Sequence, residues 1–138
     1  MGLIVDSSVL IAAERGKLDW NAFVRKWSSE PLFMASITLS ELRHGFHRAT
    51  GPNGEKRRAF IQEVEVGIPV LEFAAEEALI HAKIWAEMET IGRRIGPHDM
   101  IIAATALANE HSVATLNESE FGRVPGLKLI AMKQFLIK

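Results

Sequence analysis

The chain has 138 residues, 48% hydrophobic and 24% charged, with a formal net charge of −1 and no cysteine. That balance describes one globular domain over 1–138 with room for a sizeable core, and excludes a disordered chain, a disulfide scaffold and a cysteine zinc site. No uninterrupted apolar run approaches the roughly 18 residues of a membrane span, and the opening MGLIVDSS lacks the basic region of a signal peptide, so a cytoplasmic protein without membrane contact is expected.

In chain order, LIV (3–5) is a short apolar run that reads as a buried strand, followed by the helical patterns SSVLIAAERG and DWNAFVRKWSS. LFMA (32–35) reads as a second strand. TLSELRHGFHRA then forms a helix in which Leu39, Leu42, Phe46 and Ala49 share one face. TGPNGE (50–55) predicts a turn and GEKRRAFIQEVEVG the next helix. PVLEF (69–73) predicts a third strand. The long helix after it carries Ala75, Ala78, Leu79, Ala82, Trp85 and Ala86 as its expected apolar stripe. PHDMIIAATALANEH predicts a buried helix, and SVATL (112–116) and LKLIA (127–131) the last two strands.

Strands separated by helices require crossovers, so the fold class is α/β: a mainly parallel sheet with helices on both faces. Ligands gather beyond the C-terminal strand ends of such sheets, where helix N-termini also point. Four acids lie at these junctions.

Asp6 follows the first strand and opens a helix, where it suits an N-cap. Glu41 could close a capping box with Thr38. Gly45, one turn later, either leaves an open approach to Glu41 or lets a neighbouring helix come close. Asp99 follows Gly96-Pro97, with Pro97 at the first helical position and Asp99 complementing the macrodipole. Glu120 could close a box with Asn117. Each acid thus has a structural explanation. Their coincidence does not, because a parallel sheet brings all four to one edge. Two carboxylates 4 Å apart repel by about 4 kcal/mol at an effective dielectric near 20, so four together require protonation or cations. Oxygen ligands of this kind favour Mg²⁺ or Mn²⁺ over zinc.

IVDSSVLI, ASITLSELRHG, GPHDMIIAATALA and TLNESEF resemble, in that order, the acidic motifs of PIN-domain nucleases, and are most similar to VapC-like toxins of toxin–antitoxin modules. The resemblance runs essentially the whole chain. It implies a PIN-like three-layer sandwich on a five-stranded parallel sheet, an acidic Mg²⁺ or Mn²⁺ site and endonucleolytic cleavage of RNA. It carries catalytic and metal-binding roles to Asp6, Glu41, Asp99 and Glu120. Glu120 departs from the usual N-x-x-D-F by one methylene, which puts direct coordination there in question. Ser7, Thr115 and Asn117 match polar positions that support the site, although ordinary helix-start and strand-end hydrogen bonds also account for them. The resemblance further implies a homodimer and an antitoxin protein that blocks the site with a basic group. The apolar residues of 20–27 (Trp20, Phe23, Val24, Trp27) and of 60–68 suit a partner groove or ordinary core packing equally.

Metal-assisted phosphodiester hydrolysis needs no serine, cysteine or histidine nucleophile. His98 adjoins Asp99 and could meet substrate or be purely structural. Without the four acids the net charge of −1 becomes +3, a mildly basic remainder. Arg43 beside Glu41, and Arg93 and Arg94 ahead of Gly96, could hold RNA phosphates or simply solvate helical faces. Rival readings are a binding-only PIN relative, a Mg²⁺-binding phospho-receiver module and a haloacid-type hydrolase. A receiver wants paired acids after the first strand and an acceptor Asp after a central one, and VDSS and LEFAAEE supply neither. A haloacid-type hydrolase wants D-x-D, and position 8 is Ser8.

Overall fold

The five apolar runs assemble into one sheet of strand order β3-β2-β1-β4-β5, parallel throughout. The structure is a computed structural model that describes residues 1–138. The elements are β1 (Leu3–Val5), α1 (Ser7–Glu14), α2 (Trp20–Lys26), β2 (Leu32–Ala35), α3 (Ser36–Arg48), α4 (Gly51–Gly67), β3 (Val70–Leu71), α5 (Ala75–Thr90), α6 (Pro97–Ala108), β4 (Ser112–Thr115), α7 (Glu118–Phe121) and β5 (Leu129–Ala131). A 3-10 turn over Lys133–Phe135 follows. No helix is long and apolar enough to cross a membrane.

β1 is central. Leu3 registers with Leu32 on one side and with Ser112 on the other. All of β1 and β4 is buried, because helices cover both faces and leave no polar side to the strands. The period-two alternation of β1 then divides the core. Leu3 and Val5 pack with Leu10, Phe23 and Met34 on one face, while Ile4 packs with Ile84, Ile102 and Phe121 on the other. Each fully buried side chain of this size contributes about 1.5–3 kcal/mol.

Three local expectations are corrected. The third strand is only Val70–Leu71, not 69–73, and lies at the sheet edge. Pro69 has no N–H to give, and its carbonyl instead accepts from Met34 N–H at 3.0 Å. The predicted turn over 50–55 shrinks, because α4 already starts at Gly51. Gly51 takes φ +70°, a conformation open to glycine, and Pro52 pre-sets the first helical turn.

The third correction concerns α5, whose alanine-rich stripe faces solvent, with Leu79 73% and Trp85 53% exposed. The inward face is Ile80, Ile84 and Met88, one turn apart, together with Glu77. Those longer side chains fill the space against α6, which short alanines would leave void. Glu77 is stabilised in the interior by accepting from Ala74 N–H at 2.9 Å and from Asn109 Nδ2 at 3.3 Å. These bonds, the Ala74 amide first, hold its carboxyl below the usual range.

Candidate active site

Asp6 leaves the C-terminal end of β1 only 2% exposed. It caps α1 as expected, Oδ1 accepting from Ser8 N–H at 2.9 Å and Val9 N–H at 3.3 Å. It also receives the Ser8 hydroxyl at 2.5 Å on Oδ1 and the Thr115 hydroxyl at 2.6 Å on Oδ2. Both hydroxyls are themselves anchored: Ser8 Oγ accepts from Leu116 N–H, and Thr115 Oγ1 accepts from Asn117 N–H. Burial nevertheless pushes the Asp6 carboxyl above its ordinary value, outweighing these hydrogen bonds. The capping role is therefore real and does not account for the cost of burying the charge.

Glu41 is not in a capping box. α3 starts straight out of β2 at Ser36, two residues before Thr38, and its N-cap position, Ala35, makes no side-chain cap bond. Thr38 is fully buried. Glu41 is consequently free of the backbone: Oε1 is buried without any partner, and Oε2 lies 3.6 Å from Nδ1 of the exposed His98.

Pro97 opens α6 and Asp99 sits in its first turn, as the sequence indicates. The Asp99 carboxyl is pushed up to about 7, by burial first and then by the charges of Asp6, Glu120 and Glu41. All four junction acids therefore act on one place. Asn117 occupies the N-cap position of α7 without capping it. Its Nδ2 instead donates to Glu120 Oε2 at 2.5 Å and Asp99 Oδ2 at 3.4 Å. Glu120 Oε1 accepts from Gly96 N–H at 3.0 Å, and the Asn117 and Gly96 bonds hold Glu120 below the usual carboxylate range.

The supporting residues differ in part from those the motifs select. Thr115 and Asn117 reach the acids. Ser7 does not; its neighbour Ser8 does, since an N-cap carboxylate faces the second helical residue. Ser7 instead lines a cavity of about 190 Å³ between α1, α3 and α4, with Glu41, Gly45 and Phe60. A Cβ on Gly45 would meet nothing within 4 Å, so the glycine leaves an open approach and no helix crowds it. Arg43 is tied to Glu65 at 2.5 and 2.6 Å and lies 4.3 Å over the Phe46 ring, which makes it a cross-link from α3 to α4. Arg93 and Arg94 are exposed and form no ion pair. Arg123, which carries no motif signal, donates to the Arg94 carbonyl at 2.7 Å.

The acids offer only carboxylate oxygen, with hydroxyls beside them, which suits Mg²⁺ or Mn²⁺. In their present rotamers no three acidic or histidine side chains form a ready-made ligand group. Asp6, Glu41 and Asp99 still fit one: Glu41 Oε1 is a buried oxygen with no donor, and Asp99 is destabilised as an anion until positive charge arrives. Asp6 and Glu120 each accept hydrogen bonds on both oxygens already, so either would share those oxygens with an ion.

The family description "PIN domain" fits residues 3–127. The chain belongs to the PIN-domain family. This PIN domain is 37% identical over 134 residues to ribonuclease VapC1 of Rickettsia felis, covering 96% of the chain and 97% of that protein. Ribonuclease VapC of Rickettsia bellii is also 37% identical over 134 residues, with the same coverage. The tRNA(fMet)-specific endonuclease VapC of Salmonella typhimurium is 32% identical across 70% of the chain and 71% of that protein. Among solved structures, DNA-bound VapBC from Salmonella typhimurium superposes with TM-score 0.84 at 25% identity, covering 96% of the chain and 98% of the other. VapBC2 from Rickettsia felis, bound to a promoter DNA fragment, gives TM-score 0.84 at 23% identity, covering 95% and 98%, a likeness of fold. The PIN domain is thus of the VapC ribonuclease type, on the five-stranded parallel sheet that the motifs imply.

Proposed function

We propose that this PIN domain is a Mg²⁺- or Mn²⁺-dependent endoribonuclease, the toxin of a toxin–antitoxin module, that hydrolyses RNA phosphodiester bonds in the cytoplasm. One observation carries the reading: carboxylates from four separate segments converge at the sheet's C-terminal edge, where Asn117 bridges Asp99 and Glu120 and the charges of Asp6, Glu120 and Glu41 help burial push Asp99 up to about 7. A fold that wanted only helix caps would not gather its negative charge in this way.

Asp6, Glu41 and Asp99 would hold the cation, which when bound polarises the phosphate and acidifies an attacking water. Thr115 and Ser8 fix the Asp6 carboxylate, and Asn117 bridges Asp99 and Glu120 by donating to both. Arg93 and Arg94, exposed and in no ion pair, would draw RNA phosphates towards the acids. The cavity bounded by Ser7, Glu41 and Phe60 adjoins a second groove at Phe60, lined by Trp20, Val24 and Val64. An apolar trough ending at Glu41 fits an antitoxin segment that closes the pocket with a basic side chain. The solvent-facing stripe of α5 supports a homodimer. An antiparallel second copy centred on Ala82 sets Leu79 of one chain against Trp85 of the other and Ala78 against Ala86, a self-complementary pairing.

The decisive experiment incubates the purified protein with structured RNA and Mn²⁺. The wild type cuts and chelator stops it, while folded Asp99→Asn does not cut. Equal cleavage by both proteins removes the metal mechanism.

A further inference from the structure

Glu120 stands where the family pattern has the shorter Asp, and its length has a geometric consequence. Oε1 reaches across 24 residues to accept from Gly96 N–H at 3.0 Å. Gly96 is the N-cap of α6, the helix that carries Asp99, and has no side chain with which to cap it. Its carbonyl accepts from Met100 N–H at 3.0 Å, so the residue that starts the helix is held by Glu120 on its outer side. Three residues after Glu120, Arg123 Nη1 donates to the Arg94 carbonyl at 2.7 Å. Two bonds thus run side by side from α7 and the turn after it to the segment over residues 91–96. At its other end that segment is tied to α5 by the Ile91, Gly92 and Arg93 amides, and Ile95 packs on the core, while the Arg93 and Arg94 side chains turn to solvent.

We infer that Glu120 is a positioning residue: it clamps the start of α6 through the Gly96 amide, sets the place of Asp99 and steadies the two arginines, and does not itself ligate the cation. The inference rests on the acid pocket being the catalytic centre. One methylene shorter, the carboxylate falls short of Gly96 N–H. The extra length is therefore what the clamp requires.

Glu120→Gln and Glu120→Asp in the full chain separate the clamp from a ligand. Gln keeps a carbonyl for Gly96 N–H, and its amide group meets Asn117 once that side chain presents Oδ1. Asp keeps the charge and any bond to a cation but releases Gly96. Amide hydrogen exchange at Gly96, Mn²⁺ affinity by paramagnetic resonance and steady-state RNA cleavage are measured on both. The clamp predicts wild-type Gly96 protection and Mn²⁺ affinity within about threefold for Glu120→Gln. It predicts Gly96 exchange faster by about fivefold or more and a lowered kcat for Glu120→Asp, with Gln restoring both. The inference is overturned if Glu120→Gln loses about tenfold or more in Mn²⁺ affinity while Glu120→Asp leaves Gly96 protection unchanged. Should the wild type neither bind Mn²⁺ nor cut RNA, the nuclease reading fails by itself, and the exchange data still decide whether Glu120 holds Gly96.

Discussion

Replacing Asp99 by Asn tests the charge crowding without any assay of activity. The Asp99 carboxyl stands at about 7 in the fold against an ordinary 3.8. Because its folded value is raised, the folded state holds a proton that the unfolded chain has released, and stability falls as pH rises between those two values. A shift of about three units corresponds to at most about 4 kcal/mol. Asp99 is only half-buried, and solvent screening brings the expected effect to about 2 kcal/mol. For a chain of this length that is roughly 6–10 °C in Tm. In chelator, Asp99→Asn should therefore melt at the wild-type temperature near about pH 4 and well above it near about pH 8. Adding Mg²⁺ at about 100 times its Kd should raise the wild type by about 2.7 kcal/mol and the variant far less. A difference of equal size at both pH values, or none at either, would refute the crowding argument.

Thr115→Val removes a donor from the buried Asp6 and should cost about 1–3 kcal/mol in chemical denaturation, together with most of the cleavage rate. Arg43→Ala should lower stability by about 1 kcal/mol and leave the salt dependence of RNA binding unaltered. Arg93→Ala with Arg94→Ala should do the reverse, reducing the slope of log affinity against log salt by about two. His111 accepts from Gly2 N–H at 2.9 Å and stacks on Phe33, and burial with the nearby N-terminal charge holds its pKa below 6.5. Its contribution is complete above that unfolded value and is lost as pH falls towards the lower folded one. His111→Gln should accordingly flatten the acid side of a Tm profile.

The sheet and the junction acids were legible because strand burial on both faces and the strand–helix rhythm are written into local apolar runs. What escaped depended on partners distant in sequence. Arg43 is held by Glu65, 22 residues on, a partner that its own helix does not reveal. A count of apolar residues favours the alanine stripe of α5, whereas side-chain volume decides which face turns inward, Ile84 and Met88 over Ala78 and Ala82. Thr38 and Glu41 have the spacing of a capping box, but a helix that leaves its strand without a loop has already begun before them. Within the site, the choice of Ser8 over Ser7 follows from cap geometry and could have been made from Asp6 alone. Arg123 and the hold of Glu120 on Gly96 require knowing where α7 lies.

β1, the first strand in this sequence, lies in the middle of the sheet. Leu3 must wait for Ser112, and Asp6 for Thr115, 109 residues later, before either is satisfied. A ribosome still short of that point carries a nascent chain with no closed centre and no assembled charge pocket. Such distant closure is intrinsically slow, and it leaves β1 without its β4 neighbour until residues 112–115 have been made. The charge cluster is therefore completed by the pairing of β1 with β4 and by no local element of the chain.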